Sequence, residues 1–309
     1  MSPQSAYSTP AALRRALTDR LRTLAGTTRW TLPQLQRQLG YDRLLERLYR
    51  VDGGWVVKGA TALLARGLAV RATLDIDVFR AVTPEVAEAD LRRAAGMDIG
   101  DGFHFDVGAA QPVSAVTGSI RLPVTAYVGT TSWCAFHVDL VMAGIRLLGK
   151  PEHAAPLAPV SIPEMEQHGY TVYPLIDHIA DKVAAILQPY GVMGSPSTRY
   201  KDLVDLIAML GRVSVPAAPQ AAALRSEASR RGISLPKDFS VPDERLWRQG
   251  YASEARRSRL TTELTLEGAL VLARAFLDPL FDGTASGTWD PRRRRWELAG
   301  AADTDSAVP

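Results

Sequence analysis

Two short segments alternate apolar and acidic residues with a period of two: Leu74-Asp75-Ile76-Asp77-Val78-Phe79 and Phe136-His137-Val138-Asp139-Leu140-Val141. That period belongs to a strand with one buried face. In the first, Leu74, Ile76 and Val78 are expected on one face and Asp75 and Asp77 on the other. In the second, Phe136, Val138 and Leu140 oppose His137, Asp139 and Val141. Around them the pattern mixes elements. Pro10 to Leu24 and Leu32 to Tyr49 carry apolar residues at helical spacing, Trp55-Val56-Val57 reads as a strand after the Asp52-Gly53-Gly54 turn, and Ala62 to Arg66 reads as a short helix stopped by Gly67. A helix is expected near Pro84 to Ala95, and strands near Phe103 to Val107, Ile120 to Leu122 and Thr125 to Val128.

Gly149 to Pro163 is rich in proline and alanine and marks a candidate boundary. Beyond it the chain reads as helical, through TVYPLIDHIADKVAAIL, YKDLVDLIAML, Ala217 to Arg231 and Leu266 to Leu277. The expected fold class is α/β (α+β): a mixed-sheet domain with N-terminal helices over 1–155, then a mainly helical domain over 156–309. A tail from about residue 282, mixing Gly, Ser, Asp and Arg, is expected to be loosely ordered.

Composition narrows the function classes. A single cysteine, Cys134, excludes an intramolecular disulfide and a thiolate zinc cluster, and beside a strand it reads as a packed core residue. The five histidines lack metal-ligand spacing, and neither a GxxxxGK[ST] loop, a GxGxxG fingerprint nor an HExxH motif is present. The N-terminus carries charges where a signal peptide needs an apolar run, and no segment approaches the ~20 apolar residues of a membrane span. A soluble, cytoplasmic protein is expected. The net charge of +3 and pI of about 9.1 suit a polyanionic partner without proving one, and Arg292 to Arg295 read either as a solvated tail or as a nucleic-acid contact.

Aspartates at i and i+2 on a strand point the same way, with Cα atoms roughly 6 to 7 Å apart. That geometry suits two bridged divalent cations, the arrangement used in phosphoryl and nucleotidyl transfer. Asp139 on a neighbouring strand is the candidate third ligand. Upstream, Lys58-Gly59-Ala60-Thr61 sits where a strand runs into a helix, so backbone N–H groups can approach phosphates. There Lys58 offers a point charge, and the Thr61 hydroxyl either donates to a phosphate or caps the helix. In the helical half, Lys182 falls at the edge of the stripe of Ile176, Ile179, Val183, Ile186 and Leu187. It either snorkels, or contacts phosphate or donates a proton to leaving pyrophosphate. Asp202 shares a face with Leu206 and Met209 and needs a partner. It caps the helix, pairs with Lys182 or Arg199, or serves the catalytic centre, and is preferred there over Asp205.

Taken together, VVKGATALLARGLAVRATLDIDVF, FHVDLV, YPLIDHIADKVAAIL and RYKDLVDLIAML resemble the AbiEii/AbiGii nucleotidyltransferase toxins, including the MenT group, of the polymerase-beta-like superfamily. The resemblance spans about Trp55 to Leu210. It implies a glycine turn (Gly59, Ala60) before a DxD pair (Asp75, Asp77), with Lys182 and Asp202 completing the site and Lys58 preceding the glycine. Two departures stand out: Ala60 replaces a second glycine or serine, and Thr73 stands where several relatives carry a serine, which in some of them is a phosphorylation target linked to antitoxin control. Thr73 is also simply a good strand residue. The resemblance further implies a toxin of a toxin–antitoxin system, Mg²⁺ or Mn²⁺ as cofactor, NTP as substrate, a cognate antitoxin as partner, and tRNA 3′ ends as acceptor, so that translation stops. Arg71 is the arginine favoured for nucleotide binding, ahead of Arg66, Arg80 and Arg199. Rival readings are transfer to a small molecule or a protein hydroxyl, and a non-catalytic nucleotide-binding protein, for which Ala60 is the sole support.

Overall fold

Two N-terminal helices begin where local chemistry starts them. Helix α1 (Pro10–Thr27) follows Thr9, whose hydroxyl accepts from the Ala12 N–H, with proline at the first helical position. Helix α2 (Leu32–Val51) follows Thr31, whose N–H donates to the Gln34 side chain at 2.9 Å. The computed structural model describes residues 7–114, 119–142, 146–160, 165–191 and 194–298. The chain divides into two compact units: Met1–Gly67 with Ala72–Ile145 and Pro151–Tyr173, and Leu68–Arg71 with Arg146–Lys150 and Pro174–Pro309.

The first unit is built on a mixed sheet. Its strands are β1 (Val56–Lys58), β2 (Asp75–Phe79), β3 (Phe103–Val107), β4 (Gln111–Ser114), β5 (Ser119–Val128), β6 (Thr131–Val141), β7 (Glu152–Ala154) and β8 (Tyr170–Val172). The order is β3-β5-β6-β2-β1-β8-β7, with β4 paired to β5. Strand β2 runs parallel to β6 and antiparallel to β1, and β1 runs parallel to β8. The proline-rich segment expected to divide the chain thus supplies β7; residues 161–163 of that stretch lie outside the described residues. Helices α3 (Gly59–Ala65) and α4 (Pro84–Ala95) complete the unit.

Its core joins Ile76 and Val78 of β2, Leu122 of β5 and Val138 and Leu140 of β6 to Leu39, Leu44 and Leu48 of α2. Each side chain of this size contributes about 1.5–3 kcal/mol on burial. The alternation expected of β2 therefore holds for Ile76 and Val78, but Leu74 is 61% exposed. The ladder with β6 begins at Asp75 opposite His137, so Leu74 precedes the paired strand and nothing turns it inward.

In the second unit, helices α5 (Leu175–Leu187), α6 (Tyr200–Leu210), α7 (Ala217–Arg231), α8 (Glu244–Arg257) and α9 (Leu266–Phe281) are followed by the hairpin β9 (Thr288–Asp290) and β10 (Arg295–Glu297). Helix α6 packs on α5, α8 and α9. The C-terminal stretch is therefore not loosely ordered from residue 282. Trp289 is fully buried, its indole N–H donates to the Leu210 carbonyl at 2.9 Å, and that of Trp296 donates to the Phe276 carbonyl at 3.1 Å. Two indoles on one short hairpin outweigh its polar composition. Arg293 and Arg295 pair with Glu297, and Arg294 with Glu263, so much of the arginine run is neutralised within the chain. Residues 299–309 of the expected tail lie outside the described residues. No described helix is long and apolar enough to cross a membrane.

Candidate active site

Register brings the acids together. Lys58 on β1 pairs with Asp77 on β2, Asp77 with Asp139 on β6, and Asp139 with Arg121 on β5. Residues paired across adjacent strands share a face, so these four form one row, positive at both ends and acidic in the middle. Asp75 and His137 pair in a second row two residues away. The His137 Nδ1 lies 3.2 Å from the Asp75 carboxylate, within hydrogen-bond reach. Asp75 remains a third exposed and Asp139 15% exposed, so these carboxylates open to solvent on a face whose reverse is core.

The backbone around the pair is tightly held. Gly59 has φ +57°, and a Cβ built there would overlap the Asp77 carboxylate. Glycine is thus required twice, for the left-handed turn and for the space that Asp77 fills. Thr61 is fully buried and its hydroxyl donates to the Asp75 carbonyl at 3.1 Å. The Thr73 hydroxyl donates to that carbonyl at 3.0 Å and accepts from the Asp75 N–H at 3.3 Å, while Tyr41 Oη donates to the Thr73 carbonyl at 3.2 Å. Thr61 thus ties α3 to β2, in place of the phosphate contact or helix cap expected of it. Lys58 is buried, with Nζ 4.1 Å from the centre of the Tyr173 ring, and Ala60 is buried beside it in the first turn of α3.

Asp139 lies where a third ligand is expected, but it is also the partner of Arg121. Nε and Nη2 of Arg121 donate to its two oxygens at 2.7 and 2.6 Å, and Nη2 stands 3.8 Å from Asp75. That bidentate bond raises the pKa of Arg121, so the guanidinium is a fixed charge in the row. Asp75, Asp77 and Asp139 are oxygen donors of the kind Mg²⁺ or Mn²⁺ takes and occupy neighbouring positions on two adjacent strands, but their oxygens do not all lie within 4.8 Å of one another, so an ion shared by the three would have to draw them together. Arg121 carries no motif of its own. Only its alternation in Ile120-Arg121-Leu122 points it toward the acidic face. Among the described residues, the group whose ligand atoms do lie within 4.8 Å of one another is Glu46, Glu166 and His168, and Arg50 bridges its two carboxylates. Spacing could not reveal it, because its members are distant in sequence.

The second unit holds a buried charge cluster. Lys182 donates to Asp202 at 2.9 Å and to Asp205 at 2.8 Å. Arg71 grips Asp205 through Nε at 3.1 Å and Nη2 at 2.8 Å, and Arg199 donates to Asp202. Burial disfavours the Lys182 ammonium, yet the two carboxylates outweigh it and hold its pKa above the ordinary lysine value. Burial likewise disfavours ionised Asp202, and Lys182 and Arg199 outweigh that, holding it below the ordinary carboxylate range. Lys182, only 5% exposed, therefore does not snorkel, and the guanidinium of Arg71 is committed to Asp205 rather than presented to a nucleotide. Asp205, placed second to Asp202 on helical projection, shares Lys182 with it and is the more buried of the two.

The sequence matches the family described as "Nucleotidyl transferase AbiEii toxin, Type IV TA system" over residues 43–296. No curated protein sequence matches it significantly. Among solved structures it is similar to JHP933 from Helicobacter pylori (13% identity, TM-score 0.47, covering 80% of this chain and 94% of that one). It is similar to the nucleotidyltransferase toxin MenT4 of Mycobacterium tuberculosis H37Rv (18%, 0.46, 93% and 88%) and to a putative nucleotidyltransferase from H. pylori (14%, 0.44, 80% and 97%). On the extent of the family match, which takes in both the acidic sheet face and the buried lysine cluster, the chain belongs to the AbiEii nucleotidyltransferase toxin family and is a nucleotidyltransferase of a toxin–antitoxin system.

Proposed function

We propose that the chain transfers NMP from an NTP to an RNA acceptor, the 3′ end of tRNA, and so blocks aminoacylation and translation. The observation that carries the reading is the row Lys58–Asp77–Asp139–Arg121 with Asp75 beside it. Asp75, Asp77 and Asp139 are the metal ligands in this account. Divalent cations bound there supply activation of the attacking hydroxyl and charge neutralisation at the leaving pyrophosphate.

The chain's own groups do the rest. Gly59 leaves room for the Asp77 carboxylate, and Thr61 and Thr73 fix the Asp75 backbone, so both acids are placed before substrate arrives. Lys58 provides a point charge for the triphosphate, beside the Gly59-Ala60 backbone. Arg121 balances the acidic face while no triphosphate is present, and its guanidinium is suited to a phosphate oxygen once one is. Lys182 and Asp202 are the two catalytic groups drawn from the helical unit in this reading. An ionised Asp202 with a depressed pKa is a weak base, so it orients Lys182 rather than taking a proton. A cognate antitoxin is the partner that the family implies, cytoplasmic phage defence is the setting, and phosphorylation of Thr73, whose hydroxyl grips Asp75, would dislodge that acid.

The acceptor is tested by offering each α-labelled NTP with Mg²⁺ to total tRNA, protein extract and small-molecule pools in parallel. Label is expected on tRNA and removable by 3′ exonuclease. Label confined to protein or small molecules overturns the acceptor assignment while keeping the chemistry.

A further inference from the structure

Strand β6 has two ends, and only one carries the carboxylates. At the other, α1 and the β5–β6 turn border a cavity of about 600 Å³ lined by Arg14, Arg15, Arg22, Thr130 and Thr131. The turn closes tightly on α1: Gly129 has φ +60°, and a Cβ there would come within 2.6 Å of Pro10. The guanidinium of Arg14 lies over the Trp133 ring, 5.2 Å from its centre, and its Nη1 is buried with no hydrogen-bond partner. That nitrogen is shielded from the cavity, so the positive charge the cavity offers is that of the rest of the Arg14 side chain and of exposed Arg15, both of which line it. One acid lines the cavity, Asp19, and it is engaged by Arg22 at 2.6 Å. Neither Arg14 nor Arg15 has an acidic partner among the described residues.

We propose that this cavity binds a backbone phosphate of the RNA acceptor, at a point remote from the reacting 3′ end. The inference rests on the reading of RNA as acceptor. Guanidinium and hydroxyl donors with unbalanced positive charge suit a phosphodiester. The cavity is open rather than enclosed, which suits a continuing chain better than a small anion. Thr131 lies eight residues before Asp139 on β6, or about 26 Å at ~3.3 Å per residue. A contact so far from the chemistry affects which RNA is held, not the transfer step.

The test measures tRNA affinity across a salt series for wild type, Arg14→Gln, Arg15→Gln and the double variant, beside transfer to a minimal acceptor such as a CCA trinucleotide. Arg15 is exposed, so its variant keeps the fold even where Arg14→Gln disturbs the Trp133 contact. The double variant is expected to bind tRNA about 10-fold more weakly, with a salt slope lower by about 1 to 2. Its transfer to the trinucleotide is expected to stay unchanged. Unaltered affinity and slope in a protein that still labels tRNA overturn the cavity assignment alone. A wild type that labels and binds no RNA overturns the acceptor reading and this inference with it. Binding of an acidic peptide, abolished by Arg14→Gln with no effect on RNA affinity, assigns the cavity to a protein partner and also overturns the proposal.

Discussion

Replacing Gly59 by alanine isolates the placement of Asp77. Two costs arise there. A non-glycine residue at φ +57° loses about 1–2 kcal/mol, the penalty of the left-handed region. The new methyl group also meets the Asp77 carboxylate, which must leave its position, at about 1 kcal/mol more if it moves to a poor rotamer. Gly67 separates the two, because its φ is +68° and a Cβ there would meet nothing within 4 Å. Gly67→Ala should therefore lose about 1–2 kcal/mol in urea unfolding and keep its transfer activity. Gly59→Ala should lose about 2–3 kcal/mol and, in addition, about 100-fold in transfer from α-labelled NTP, the scale expected when a reacting group is misplaced by about 1 Å. The stability difference between the variants is small, so the activity ratio decides. Gly59→Ala as active as Gly67→Ala would refute the claim that Asp77 must sit against the Gly59 backbone.

Three further outcomes follow from the same geometry. Arg121→Ala removes a cation beside Asp139 and Asp75, and Mn²⁺ binding, followed by calorimetry or paramagnetic resonance, should tighten about 10-fold; weaker binding would mean that Arg121 organises the ligands rather than offsetting their charge. Lys182→Met strips a buried partner from both Asp202 and Asp205, and should cost about 3–5 kcal/mol in chemical denaturation; a loss under about 1 kcal/mol contradicts the buried ion cluster. Burial pushes Asp42 from 3.8 up to about 7 against the N–H groups of Leu157 and Ala158, so its contribution to stability is full below about pH 4 and lost as pH rises through about 7. Wild type should thus lose up to about 4 kcal/mol relative to Asp42→Asn across that window, and parallel stability curves for the two proteins would contradict the shift.

The acidic face was legible because a strand's period is short and local. Ile76 and Val78 against Asp75 and Asp77 need no tertiary information, and the same alternation located Asp139. Arg121 was not legible, since its role comes from the register of β5 on β6, which no local pattern encodes. Thr61 and Arg71 were misplaced for a related reason. A hydroxyl or guanidinium near a glycine turn looks available until the fold supplies a nearer partner, the Asp75 carbonyl for one and Asp205 for the other. Helix α8 escaped notice because few of its positions are apolar; Trp247 and Tyr251 anchor it, with no continuous stripe. The C-terminal hairpin is likewise held by two indoles rather than by strand propensity.

The central claim is that Asp75 and Asp77 support nucleotidyl transfer, and its direct test is one NTP labelled in turn at the α and γ phosphates. With Mg²⁺ and total tRNA, wild type should place α label on RNA and release γ label only with pyrophosphate, and Asp75→Asn should do neither at a detectable rate while binding tRNA as wild type does. Transfer of γ label to any acceptor, or undiminished α labelling by Asp75→Asn, would contradict the account.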